Sequence, residues 1–179
     1  MTKFHIFVRE LSKKNIMNRE SKCLKKIVEF QHNLTVWYLS LLKDTDVDKC
    51  FECEGVKINS LYWITAHLAN SEDALLQKAL GKEGHQYEWL KKYSLGSNQD
   101  IKNEVPYHEL VKIAKEIHIS CMQNLDEMTD AHLNKDNSLG ITFMGDSSIR
   151  TIIMHHIRHQ GVHTGQLSLL CKLNGIKTV

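Results

Sequence analysis

The chain has 179 residues, of which 42% are hydrophobic and 25% are charged, and its formal net charge is +2 at pH 7. This length and composition are typical of one globular domain, and the nearly neutral charge gives no sign of a nucleic-acid-binding surface. No uncharged apolar run of about 18 residues occurs, so no membrane-spanning helix is predicted.

The N-terminal half contains two predicted helices. Residues 1–18 are basic and are interpreted as an arm or a short extra helix, without the apolar segment of a signal peptide. A first helix is predicted over residues 19–43, because aliphatic and aromatic residues recur there at helical spacing. A second helix begins near Asn59, a favourable N-cap residue, and ends before Gly81.

The middle of the chain is mixed in character before a third helix begins. Residues 81–105 contain glycine and asparagine, with one short helical piece predicted at 87–93. The third helix starts at Pro106, the only proline of the chain, and runs to about Met128. Proline suits the first turn of a helix, where its missing N–H is not needed.

A fourth helix follows a polar loop near the C-terminus. Asp146, Ser147 or Ser148 caps its start, and Asn174-Gly175 ends it. Four helices of this length predict an all-α fold, a four-helix bundle about 30–40 Å long.

The five cysteines form no recognisable metal or disulfide framework. Cys50 and Cys53 make an isolated CxxC between predicted helices, which is interpreted as incidental. An odd number of cysteines without an export signal predicts reduced thiols and a cytoplasmic location.

The inner face of the fourth predicted helix is apolar at both ends and polar in the middle. Burying several imidazoles without partners would cost a few kcal/mol each, whereas a divalent metal ion satisfies several neutral imidazoles at once. In heptad register, one seam position is occupied by Ile149, His156, His163 and Leu170, and the other by Ile152, His159, Gln166 and Leu173.

Two of these histidines have the spacing of a metal-binding pair. His159 and His163 are four residues apart and lie one turn apart on one face of the helix. His155 and His159 have the same spacing and form the competing pair, but His155 lies at the edge of the seam. The intervening HQGVH lacks the glutamate of HExxH, which disfavours zincin-type peptide hydrolysis.

A catalytic zinc site usually needs a third protein ligand, which has to come from a facing helix. His67 is the only histidine within the second predicted helix and is the best candidate. His32 and His118 also lie within predicted helices and remain fallback candidates.

The sequences AHLANSEDALL and HHIRHQGVHTGQLSLLCKLNG resemble the DinB/YfiT-like superfamily of metal-dependent enzymes. The resemblance covers about residues 20–175 and predicts a DinB-like domain over residues 19–179. Its most recognisable mark is the HxxxHxGQL element, formed here by His159, His163, Gly165, Gln166 and Leu167.

The resemblance implies an up-down-down-up four-helix bundle that often forms homodimers. The metal ligands of the family fall on His67, His159 and His163, with zinc or nickel as the expected divalent ion. Some members transfer low-molecular-weight thiols such as bacillithiol or mycothiol. Gln160 departs from the glutamate that many relatives carry there, and Gln166 is interpreted either as an orienting residue or as a packing residue.

Two functions of different kinds follow from these observations. The first is a metal-dependent enzyme that acts on a small-molecule substrate, as a thiol transferase or as a hydrolase with metal-activated thiol or water. The second is a non-catalytic, dimeric metal-binding or stress-response protein. Neither nucleic acid nor membrane is an expected partner.

Overall fold

A computed structural model describes residues 19–97 and 101–178. The predicted arm at residues 1–18 lies outside the described residues. The described chain is mostly helical and includes one small antiparallel sheet. Its α-helices are α1 (Arg19–Leu41), α2 (Leu61–Leu76), α3 (Tyr107–Asp126), α4 (Asp130–Leu133) and α5 (Ile149–Leu173), its strands are β1 (Phe51–Cys53) and β2 (Val56–Ile58), and its 3₁₀ segments are Lys78–Leu80 and Glu88–Tyr93.

The long helices begin where the sequence offers a capping side chain. Ser60 caps α2 by accepting a hydrogen bond of 3.2 Å from the backbone N–H of Trp63, so the predicted cap at Asn59 is wrong by one residue. Ser148 caps α5 by accepting from the backbone N–H of Thr151, as one of the three predicted alternatives. Each cap satisfies one of the N–H groups that a helix start leaves without a partner.

The hairpin of β1 and β2 was not predicted. Glu54 and Gly55 form its turn with φ of 50° and 78°, which glycine adopts without strain and which suits a tight two-residue hairpin. Cys50 precedes β1 and Cys53 is its last residue, and both are free thiols.

The loop between α4 and α5 is organised by Asn137, which is buried. Its Oδ1 accepts hydrogen bonds from the backbone N–H groups of Leu139 and Ile141, both of 3.1 Å. Its Nδ2 donates to the carbonyl oxygens of Ile141 and Ser147, both at 2.7 Å. One amide side chain therefore closes this loop from inside and fixes the approach to α5.

Each of the four long helices packs against two others. Helix α5 packs against α1 and α2, and α3 packs against the same two helices. The apolar core lies between them and includes Val28, Ile64, Leu110, Ile117, Ile153 and Leu167, all with no exposed surface. None of the described helices is both long enough and apolar enough to cross a bilayer.

The heptad register predicted for α5 holds at its start and fails at its end. Leu173, assigned to the seam, is 40% exposed, whereas Gln160, outside the seam, is only 3% exposed. A straight helix drifts relative to a strict seven-residue repeat, so the buried stripe rotates along α5.

Candidate metal centre

Three histidines from two helices meet where α2 packs against α5. The Nε2 atom of His159 lies 3.0 Å from the Nε2 of His67 and 3.2 Å from the Nε2 of His163. One ligand atom from each of the three side chains lies within 4.8 Å of the other two. The structure therefore brings together the three residues selected from the sequence, which we call the His67 cluster.

The ring of His67 is oriented by the 3₁₀ segment Glu88–Tyr93. Its Nδ1 lies 2.6 Å from the carbonyl oxygen of Tyr93. Because a carbonyl oxygen can only accept, Nδ1 carries the hydrogen, and Nε2 of the neutral ring presents its lone pair to the cluster.

The ring of His163 is oriented in the same way from within α5. Its Nδ1 donates across 2.7 Å to Oε1 of Gln166, three residues further along the helix. This contact supports the interpretation of Gln166 as an orienting residue. The Nε2 lone pair of His163 therefore also points to the cluster, as is typical of metal-binding histidines.

His159 cannot satisfy both of its ring nitrogens among the described residues. Its Nδ1 is buried and has no hydrogen-bond partner. Its Nε2 faces the lone pairs of His67 and His163. A neutral ring carries one hydrogen, and whether that hydrogen is on Nδ1 or on Nε2, Nδ1 has no partner.

Burial keeps these three imidazoles neutral. Desolvation is the main cause that lowers the pKa of His159 to about 3, with the nearby His163 and His67 adding to it. Desolvation and the neighbouring His67 lower the pKa of His163 to about 4. Burial also lowers the pKa of His67. At neutral pH all three rings are therefore uncharged, which is the protonation state that a metal ion requires.

A divalent ion fits this arrangement. Zinc bound tetrahedrally at 2.0–2.1 Å holds pairs of imidazole nitrogens about 3.3 Å apart, close to the two measured separations. An ion at the shared centre would accept the three lone pairs at once. The donor set of three neutral imidazoles suits zinc, nickel, copper and iron.

The three histidines of the cluster differ in exposure. His67 is 2% exposed and His163 is 8% exposed, whereas His159 is only partly buried. The indole of Trp63 stacks on the ring of His67, with centroids 4.7 Å apart and planes 14° apart. Trp63 thus forms one wall of the cluster, and His159 is its least buried member.

A cavity of about 220 Å³ lies on the other side of this wall. Trp63 and Tyr93, which contact His67 by stacking and by the hydrogen bond, also line the cavity. Both Nε1 of Trp63 and the hydroxyl of Tyr93 are buried without a hydrogen-bond partner. The remaining lining residues are Asp48, Ser60, Ile101, Lys102 and Asn103.

The other histidines considered from the sequence lie elsewhere. His155, the competing partner of His159, stacks on Phe143 with ring centroids 3.5 Å apart and is not part of the His67 cluster. His32 and His118, the fallback candidates, belong to a separate group. Tyr93 was not predicted as part of the site, because it acts through its backbone carbonyl.

No family model matches this sequence, and no curated protein matches it at a significant level. The resemblance to the DinB/YfiT-like superfamily therefore stays a prediction. Function has to be inferred from the chemistry of the cluster and its surroundings.

Proposed function

We propose that the protein is an enzyme that uses one divalent metal ion, zinc or nickel, held by His67, His159 and His163. The observation that carries this proposal is the approach of three Nε2 atoms to within 3.0 and 3.2 Å while two of the rings already donate through Nδ1. A hydrogen on Nε2 of His159 can satisfy only one of the two facing lone pairs, whereas a shared cation accepts a lone pair from each of the three rings.

For the fold we propose the up-down-down-up four-helix bundle implied by the DinB resemblance. The packing of the long helices supports it, because α1, α5, α2 and α3 contact one another in a closed cycle. In such bundles metal sites are built from side chains of facing helices at similar depth. Here α2 and α5 are the facing helices.

A bound ion would supply Lewis-acid chemistry and lower the pKa of a thiol or water molecule placed in its open coordination position. The chain itself orients the ligand rings through the Tyr93 carbonyl and the Gln166 amide. The cavity behind Trp63 and Tyr93 has a polar lining, with Asp48, Lys102 and Asn103, that suits a small polar ligand, and none of the three histidines lines it.

Transfer of a low-molecular-weight thiol is the reaction class that we favour over hydrolysis. The resemblance described above points to thiol transfer, and no carboxylate among the described residues belongs to the His67 cluster to assist a water molecule as general base. Gln160, next to His159, cannot serve as that base. A thiol ionises to solvent beforehand, and its sulfur then forms a bond to an electrophilic carbon while the leaving group departs with its electron pair.

Metal binding is the first test. The purified chain is stripped with a chelator, titrated with zinc or nickel, and analysed for bound metal by mass spectrometry. We expect His163→Ala and His159→Ala each to lose the ion bound at the His67 cluster, whereas His155→Ala, one turn before His159, retains it. Unchanged metal content and affinity in both ligand variants would refute the site.

Catalysis is tested separately with the metal-loaded protein. We expect consumption of a low-molecular-weight thiol with an alkylating electrophile, lost in His159→Ala. With cobalt in the site, the thiol should produce a sulfur-to-cobalt charge-transfer band. A cobalt spectrum that does not respond to thiol, together with no turnover, would favour the non-catalytic metal-binding protein. The homodimer and the cytoplasmic location stay predictions.

A further inference from the structure

A second group of potential ligands lies where α1, α2 and α3 meet. His32 on α1, Glu72 on α2 and His118 on α3 each place one ligand atom within 4.8 Å of the other two. The rings of His32 and His118 are stacked, with centroids 3.3 Å apart and planes 5° apart. We call these three residues the Glu72 cluster.

Glu72 is a buried carboxylate surrounded by imidazoles. It is 6% exposed, and its Oε1 lies 2.8 Å from Nδ1 of His118. Burial alone raises the pKa of Glu72. The hydrogen bond with His118 and the charges of His156 and His32 together outweigh this effect, so the pKa lies below its usual value. The ion-pair partner that the structure gives Glu72 is His118, which carries a charge only when it is protonated. A buried negative charge in this position calls for a cation.

His156 supplies an independent observation that points to a missing ligand. It lies on α5, is 2% exposed, and neither of its ring nitrogens makes a hydrogen bond of standard geometry in the described structure, although Gln160, one turn further along α5, is close enough to raise its pKa. It is close enough to Glu72 and His118 for their charges to influence its pKa, which burial lowers. A neutral imidazole has one donor and one acceptor, and leaving both unmet in the interior is rare in folded proteins.

We propose that His32, Glu72 and His118 form a second divalent-cation site, with His156 as the adjacent buried imidazole that completes its surroundings. Two imidazoles and one carboxylate form a mixed nitrogen and oxygen donor set, which suits zinc, iron or manganese. The ion would compensate the charge of Glu72, and all four long helices would then contribute to its environment.

This site is distinct from the His67 cluster but lies beside it. Glu72 follows His67 by five residues on α2, which corresponds to about 7.5 Å of helix rise, and His156 precedes His159 by three residues on α5, about 4.5 Å. The two clusters share no ligand residue. Each can therefore be removed without removing a ligand of the other.

Metal stoichiometry tests the second site in the full chain. With zinc alone as the probe, we expect the stripped wild-type protein to bind two ions, His118→Ala and Glu72→Gln to bind one, and His163→Ala to bind one. His108→Ala is the matched control, because His108 is an exposed histidine on the same helix as His118, and this variant should bind two.

The outcomes separate this inference from the proposed function. A wild-type protein that binds one ion, lost in His163→Ala and retained in His118→Ala, would overturn the second site and leave the His67 cluster standing. A wild-type protein that binds one ion, lost in His118→Ala and retained in His163→Ala, would overturn the His67 cluster and leave the second site standing.

Cadmium-113 NMR of the wild-type protein gives a test that does not depend on the folding of a variant. Two resonances are expected at saturation, since one site has only nitrogen donors and the other includes a carboxylate. A single resonance at saturating cadmium would contradict the proposal.

Discussion

His163 donates from Nδ1 to the side-chain oxygen of Gln166 across 2.7 Å, between two residues of the same helix one turn apart. The contact fixes both the tautomer and the orientation of the ring. It makes Gln166, which is not one of the candidate ligands, a determinant of the geometry of the His67 cluster.

Removal of the Gln166 acceptor should weaken metal binding without removing a ligand. We expect Gln166→Leu to lower zinc affinity about 10- to 100-fold, because the His163 ring loses its orienting partner. Gln166→Glu retains an acceptor and should restore the affinity. Competition with a chromophoric chelator measures the change, and Gln123→Leu on exposed α3 surface is the control. Equal affinity in Gln166→Leu and the wild type would show that the hydrogen bond has no orienting role.

Trp63 should report metal binding by fluorescence. Its indole stacks on His67 at a centroid distance of 4.7 Å, and paramagnetic ions such as copper or nickel quench an indole at short range. We expect quenching at one equivalent of metal in the wild type and in Trp37→Phe. Trp63→Phe should lose most of the quenching. Quenching that persists in Trp63→Phe would place the bound ion elsewhere.

The metal-free chain should lose stability as the pH falls from 7 to 5. Burial lowers the pKa of His32 to about 4, of His159 to about 3 and of His163 to about 4 in the folded state, whereas the unfolded chain takes up these protons near pH 6.5. Below pH 6.5 the unfolded state therefore binds more protons, and the free energy of unfolding decreases until the folded pKa values are reached. The loss is on the order of 1 kcal/mol per histidine once solvent screening is allowed for.

Urea unfolding of the stripped protein at pH 7, 6 and 5 measures this dependence. His163→Gln should show a shallower pH dependence than the wild type, because one of the groups that titrate is missing. Identical slopes in the two proteins would mean that His163 does not have a lowered pKa.

Two leucines of α5 allow a matched test of the core. Leu167 has no exposed surface, whereas Leu169, two residues later, is 42% exposed. Leu167→Ala should lower the free energy of unfolding by about 2–5 kcal/mol through loss of burial and the cavity it leaves. Leu169→Ala should change it by less than about 0.5 kcal/mol. Equal effects in a urea titration would contradict the orientation of α5.

The His67 cluster could be predicted from the sequence because its three members follow local rules. The four-residue spacing of His159 and His163 already places both side chains on one face of a helix. His67 was selected because it is the only histidine in the second helix. The preference for His159–His163 over His155–His159 rested on the heptad register, which holds over the first turns of α5 and places His156 and His163 on its buried side.

The Glu72 cluster could not be predicted in the same way. Glu72 lies in NSEDALL, which has the composition of a solvent-facing turn, and its burial depends on α1 and α3 closing over it. His32 and His118 are 86 positions apart in the numbering and meet only through tertiary packing. The Tyr93 carbonyl carries no sequence signal at all, because every residue has one.

The hairpin was missed for a different reason. Its strands have three residues each, too few for an alternating pattern to be recognised. The dipeptide Glu54-Gly55 between FEC and VKI was the available signal. A glycine flanked by short apolar alternation is typical of a tight hairpin turn.

The loop before α5 has a consequence for sequence divergence. The side chain of Asn137 supplies four of the hydrogen bonds within the loop. The side chain of Met144, at the tip, is fully exposed to solvent. Homologous chains are therefore expected to retain the amide at position 137 over long evolutionary distances, while position 144, whose φ is 52°, should vary mainly among residues that tolerate a left-handed backbone, such as glycine and asparagine.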